Sequence, residues 1–147
     1  MFQGATALTL DAKGRLAVPT RHREGLVTGS NGKLVLTAHP HRCLLLYPAA
    51  AWEPIRARIM TFSSFDQQAS NWKRVLVGFA EDQGMDASGR LLVSAVLRKY
   101  AGIDKQVMFV GQGSHFELWS QESWDRQIEQ VVTDPERLPP GMENFAL

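Results

Sequence analysis

Leu10-Asp11-Ala12-Lys13-Gly14-Arg15-Leu16-Ala17-Val18 recurs 75 residues later as Met85-Asp86-Ala87-Ser88-Gly89-Arg90-Leu91-Leu92-Val93. Each copy reads as a tight turn between two short extended runs. In the first, Ala7-Leu8-Thr9-Leu10 alternates in polarity and Leu16-Ala17-Val18 resumes β-type residues after the turn. Lys13-Gly14 supplies the turn chemistry, with Gly14 able to take a positive φ. The expected unit is a β-hairpin with Lys13 and Arg15 at its tip. The second copy keeps Gly89 and Arg90 but has Ser88 where the first has lysine.

A second block repeats in the same order. Leu46-Tyr47, four residues and Trp52 recur as Leu118-Trp119, four residues and Trp124, shifted by 72. Two matched blocks make an internal duplication the better account. It divides the chain into a first module at 1–75 and a second at 76–132. Residues 133–147, with Leu138-Pro139-Pro140-Gly141, read as a tail without fixed structure.

Flanking elements follow from local signals. Pro19 suits the first position of a helix over Thr20 to Leu26. Ser94 can N-cap a helix through Tyr100, with Gly102 just past its end. Lys33 to Thr37, Arg42 to Tyr47, Gln106 to Val110 and His115 to Trp119 read as strands. Ser120, with Glu122 in the first turn, opens a helix from Gln121 to about Val132. Pro54 must lie in a first turn or kink its helix. Ser64 and Gln67 resemble a capping box. Beyond them Trp72, Val75, Leu76 and Phe79 share a helical face that needs cover.

The 147 residues are 44% hydrophobic and 21% charged, as in ordinary soluble domains. The apolar runs Cys43 to Tyr47 and Val107 to Val110 are too short to span a bilayer. The start Met1-Phe2-Gln3-Gly4 lacks signal-peptide character, and one cysteine argues for no disulfide framework. Cytosol is the expected compartment, without a membrane partner. The net charge of +1 hides an asymmetry: residues 1–75 carry 10 basic and 4 acidic side chains, and the remainder 6 and 11. A basic half can be a footprint for phosphates or scattered solubilising charge.

Enzymatic readings find little support. His39-Pro40-His41 lacks further metal ligands at recognisable spacing and reads as a loop. Gly111-Gln112-Gly113-Ser114-His115 has neither a Walker lysine nor a nucleophile elbow and reads as a hairpin turn. Cys43 lies in an apolar strand, the setting of an inert thiol. Trp52, Trp72, Trp119 and Trp124 fall in periodic apolar segments, as core or subunit contacts. No catalytic residue, metal, cofactor or small-molecule substrate is expected.

Met1-Phe2-Gln3-Gly4, Leu10-Asp11-Ala12-Lys13-Gly14-Arg15, Pro19 and Arg23 together resemble the start of proteins of the MraZ family. So do Cys43-Leu44-Leu45-Leu46-Tyr47-Pro48, Trp52-Glu53, Met85-Asp86-Ala87-Ser88-Gly89-Arg90 and Phe116-Glu117-Leu118-Trp119. The resemblance covers roughly residues 1–132. It implies an α+β, mainly β fold of tandem swapped-hairpin, AbrB-like barrel modules with short peripheral helices. It also implies a ring-like homo-oligomer that binds repeated promoter sites on double-stranded DNA and represses its own operon in the division and cell-wall gene cluster, on the nucleoid.

Carried over residue by residue, the resemblance points to Lys13, Gly14, Arg15 and Arg90 as DNA-binding. Asp11, Asp86 and Gly89 hold the turns. Arg offers a forked donor for a guanine edge or a phosphate and Lys a point charge. Arg21 and Arg23 could reach phosphates or form a solvated helix face. Asp11 and Arg15 could equally pair across the turn, and an exposed pair of that kind contributes about 0–1 kcal/mol. A protein-binding scaffold ring without direct DNA readout is the alternative function.

Overall fold

The computed structural model describes residues 1–146. In chain order its elements are β1 (Ala5–Thr9), β2 (Arg15–Ala17), α1 (Thr20–Val27), β3 (Leu34–His39), β4 (Cys43–Pro48), α2 (Ala49–Ile59), α3 (Gln67–Leu76), β5 (Glu81–Gln83), β6 (Arg90–Leu92), α4 (Ala95–Ala101), β7 (Gln106–Gly111), β8 (Phe116–Ser120) and α5 (Gln121–Thr133).

The repeated turn forms as a local unit. Asp11 N donates to Arg15 O at 3.0 Å and Gly14 N to Asp11 O at 2.9 Å, the pattern of a three-residue loop closed by a left-handed glycine. The strands it joins then part company. β1 pairs antiparallel with β7, from Ala5 opposite Val110 to Thr9 opposite Gln106. β2 pairs with β6, placing Leu16 opposite Leu91. In the second copy β5 crosses to β3. The local hairpins read from sequence are therefore corrected: turn chemistry sets one rung, while strand partners are chosen by burial over long range. A short strand crossing to the other copy buries Leu16 and Leu91 in a shared core, which a two-stranded hairpin alone cannot do.

Six strands form one antiparallel sheet in the order β1-β7-β8-β4-β3-β5, and β2-β6 form a separate two-stranded ribbon. The large sheet is open, with β1 and β5 at its edges, so the expected closed barrel is not found. Nor is the chain mainly β, because the five helices hold more residues than the eight strands. α2, α3 and α5 run for 11, 10 and 13 residues. Strand signals stood out in the sequence, but the central strands are buried on both faces and need helices over each.

Side-chain alternation divides the core accordingly. Leu34, Leu36, Ala38, Leu44 and Leu46 face a cluster shared with Leu16, Leu26, Leu91, Leu97, Phe109 and Phe116, so both copies contribute to it. Val35, Cys43, Leu45 and Tyr47 face the opposite cluster with Trp52, Ile59, Leu76 and Trp119. Thus α1, α4 and the ribbon cover one side of the sheet and α2 and α5 the other, while α3 gives Leu76 to the second cluster and Val75 to the first.

The helix starts at Ser94 and Ser120 are found: their hydroxyls accept from Leu97 N and Ser123 N. The α3 start moves. Asp66, not Ser64, is its N-cap, accepting from Ala69 N at 2.8 Å, and Gln67 is the first helical residue. Asp caps as well as Ser, and the closer residue wins. Pro54 lies inside α2 beyond its first turn, where it removes an interior N–H. Leu76 is buried and Val75 packs on the core, whereas Phe79, expected on the same helix, lies past the end of α3 and packs on the core from the following turn. Of the α3 face only Trp72 stays half exposed. Residues 134–146 have turns but neither helix nor strand.

Leu16 and Leu91 are fully buried register partners on the ribbon. Truncating either to alanine should lower the unfolding free energy by about 2–5 kcal/mol. Because the copies share one core, urea unfolding followed by tryptophan fluorescence and by circular dichroism should give one coincident transition. Two separated transitions would contradict the interlocked core.

Candidate nucleic-acid interface

The β2-β6 ribbon turns Leu16 and Leu91 inward, so alternation sends Arg15, Ala17, Arg90 and Leu92 to its other face. That face is open: Ala17 and Leu92 are exposed, and Arg15 and Arg90 are partly so. Arg15 stands opposite Leu92, and Ala17 opposite Arg90, so the two arginines mark opposite ends of the ribbon. Each arginine ends one of the repeated turns.

The two turns are built alike. In the first, Asp11 Oδ1 accepts from the backbone N of Lys13 and of Arg15, both at 2.9 Å, and Oδ2 accepts from Arg15 Nε at 2.7 Å. In the second, Asp86 Oδ1 accepts from Ser88 N and Arg90 N at 2.9 Å, and Oδ2 accepts from Arg90 Nε at 3.0 Å. The backbone N–H of Arg15 is the largest influence holding the Asp11 carboxyl below its ordinary value, and that of Arg90 does the same for Asp86. Both readings of the Asp–Arg spacing are thus compatible. The carboxylate ties the turn, and it binds the arginine through Nε while the terminal nitrogens stay unengaged among the described residues.

Gly14 and Gly89 are buried and hold φ of +81° and +74°, a region that a side chain strains. Each is also crowded by an arginine from the other copy. A Cβ on Gly14 would sit 3.0 Å from Arg98 Cζ, and one on Gly89 would overlap the Arg23 guanidinium. The turns are joined across the copies as well: Val18 N donates to Gly89 O and Val93 N to Gly14 O, both at 2.9 Å. Arg23 Nε donates to Val18 O at 2.8 Å and Arg98 Nε to Val93 O at 3.0 Å.

The remaining candidates fall around this centre. Lys13 is exposed on the first turn. Arg21, exposed on α1, donates to Thr6 Oγ1 at 2.8 Å and does not join the turns. Arg23 joins the second turn rather than its own. The sequence reading missed Arg98, yet the signal was present: the 75-residue shift that relates the turns also carries Arg23 onto Arg98. Crossing also mixes the charge, since Arg98 from the acidic half lies on the turn with Lys13 and Arg15. His39 and His41 lie at a turn, with His41 N donating to His39 Nδ1. Cys43 is fully buried, and burial pushes its thiol far up. Among the described residues no three His, Cys, Asp or Glu side chains are placed to share a metal ion.

Residues 1–75 and 76–137 each match the family described as "MraZ protein, putative antitoxin-like". The chain belongs to the MraZ family. It is 63% identical to the protein named Transcriptional regulator MraZ of Methylobacillus flagellatus over the whole of both chains. Proteins of the same name from Aromatoleum aromaticum and Nitrosomonas europaea are 56% and 45% identical, again over the whole of both chains. Each MraZ match contains one copy of the Asp-held turn.

Because Asp11 and Asp86 have depressed values when folded, the turns gain their full stabilisation above the ordinary aspartate range. It is lost as pH falls through the lower, folded-state values. NMR titration should show the Lys13, Arg15, Ser88 and Arg90 amides shifting together with midpoints below about 3.9, the model-peptide value. Midpoints at or above that value would contradict the carboxylate-tied turns.

Proposed function

We propose that this MraZ chain is a sequence-specific double-stranded-DNA-binding transcriptional regulator that reads base edges with the outer face of its β2-β6 ribbon. The observation that carries this reading is the placement of Arg15 and Arg90 at opposite ends of one exposed ribbon face. Their Cα atoms are two rungs apart across an antiparallel pair, roughly 8 Å. A major groove about 12 Å wide admits a two-stranded ribbon, and forked arginines suit guanine there. The names of the relatives support regulation of transcription. Asp11 and Asp86 serve as structural partners that aim the forks, and Lys13 contributes charge to phosphate. Arg21 is a peripheral phosphate contact.

The chain is further read as two duplicated modules, 1–75 and 76–132, exchanging strands in a swapped-hairpin, AbrB-like manner. The equivalent bonds of the two turns support that reading. One ribbon has little contact area, so binding calls for a ring-like homo-oligomer on repeated promoter sites. Trp72, Ile128 and Val131, exposed on α3 and α5, offer apolar surface for self-association. By family resemblance the protein acts in the cytoplasm, on the nucleoid, as repressor of its own operon in the division and cell-wall gene cluster.

Arg15→Ala should leave fold and assembly intact and remove specific binding to DNA from upstream of its own gene. Loss of a base contact costs roughly 1–3 kcal/mol per site, multiplied where several subunits engage. Arg15→Lys should retain more nonspecific than specific affinity. Titration of promoter and random duplex at matched salt, with sedimentation as control, provides the check. Undiminished promoter affinity in a folded Arg15→Ala protein would sink the contact. Equal wild-type affinity for both duplexes would favour a scaffold instead.

A further inference from the structure

We propose that Arg98 and Arg23 form a pair of phosphate-binding sites, each completing the turn of the opposite copy: Arg98 beside Gly14, and Arg23 beside Gly89. The proposal rests on the DNA-binding reading above and extends it to a residue, Arg98, outside the repeated motif. Three features of the structure lead to it.

The first is orientation. Each guanidinium is anchored by a single bond through Nε, to Val93 O for Arg98 and to Val18 O for Arg23. Those valines are in turn bonded through their N–H groups to the carbonyls of Gly14 and Gly89. The arginine is therefore registered to the turn by a chain of two hydrogen bonds. Its two terminal nitrogens have no partner among the described residues. A forked donor fixed at its stem with both tips free is arranged to receive the oxygens of an anion.

The second is access. The guanidinium of Arg98 lies against Gly14, where a Cβ would come within 3.0 Å of Cζ, and that of Arg23 would overlap a Cβ on Gly89. A glycine at these points is required twice, by its positive φ and by the cation resting on it. The result is a cation held flush with the turn rather than extended into solvent.

The third is uncompensated charge. Arg98 shares the first turn with Lys13 and Arg15, and Arg23 shares the second with Arg90. The carboxylates in these turns, Asp11 and Asp86, are already committed to Arg15 and Arg90. Among the described residues neither Arg23, Arg98 nor Lys13 forms a salt bridge. Arg98 and Lys13 on the first turn, and Arg23 on the second, are thus cations without a carboxylate partner among the described residues, and an anion placed beside them gains attraction that no internal pair offsets. A phosphodiester flanking the groove entered by the ribbon supplies that anion, and a contact of this kind fixes register without reading sequence.

The test uses the full-length chain and a random-sequence 30-base-pair duplex, so that base readout does not contribute. Affinity is followed from 50 to 200 mM salt for the wild type, Arg98→Met, Arg23→Met and the two lysine variants. Each phosphate contact contributes about 0.9 to the log–log salt slope. Each methionine variant should lose about that much per engaged subunit, so for every engaged subunit its affinity should fall about 3.5-fold less than the wild type's over this range. The lysine variants, which keep the charge, should retain the slope. Methionine variants that weaken binding at every salt concentration with an unchanged slope would make these residues braces of the turn and overturn the proposal. Unchanged binding would overturn it too. A wild type that binds no duplex at any salt would instead remove the DNA reading itself. Should a methionine variant unfold, the wild type still decides: the side-chain NMR signals of Arg98 and Arg23 should shift on adding the duplex, and fixed signals would overturn the proposal.

Discussion

The reciprocal hydrogen bonds Val18 N to Gly89 O and Val93 N to Gly14 O are the constraint on which the other features depend. Each joins the strand leaving one turn to the turn of the other copy. With them in place β2 must pair with β6, and Leu16 must meet Leu91. β1 and β5 are then delivered to opposite edges of the large sheet. Neither copy can be removed without opening the core of the other. The outward face of the ribbon inherits its geometry from the same bonds, so two arginines 75 residues apart in sequence become ends of one short surface.

Much of the element pattern was legible because it rests on local chemistry. The turns announced themselves through Gly14 and Gly89, and the starts of α4 and α5 through Ser94 and Ser120. What failed was whatever depended on partners distant in sequence. Lys13-Gly14 encodes a reversal but says nothing about which strand lies beside β1, so a local hairpin stood where an exchange occurs. The closed barrel failed for a related reason, since closure depends on whether β1 and β5 meet. Ser64 and Asp66 were both competent caps, and two residues of offset could not be settled from composition.

At the candidate site the division is similar. The Asp11–Arg15 spacing offered a pair across the turn, and Asp11 and Asp86 each bond the arginine of their own turn, while the bonds to backbone N–H groups had no signal in the sequence. Arg98 was not readable from any motif of its own, since it sits in a helix with an ordinary basic stretch. Only the repeat register, applied beyond the matched block, leads to it. The charge asymmetry between the halves was real in the sequence but has no simple spatial counterpart, because the exchange sets Arg98 from the acidic half beside Lys13 and Arg15 from the basic one.

The arrangement separates what holds the protein together from what it presents. Leu16 and Leu91 lie inside the ribbon, where a methylene is worth about 0.8 kcal/mol. Arg15 and Arg90 lie outside it on the same strands, secured by exposed Asp–Arg bonds whose strength depends on pH and salt. A substitution on the inner face therefore acts on the core and one on the outer face on the exposed surface, although the residues are neighbours. The glycines escape this separation. Gly14 and Gly89 meet a backbone requirement, accept the bonds from Val93 and Val18, and lie under Arg98 and Arg23. A side chain at either position strains the turn and displaces the opposing cation together, so fold and surface cannot be varied independently there.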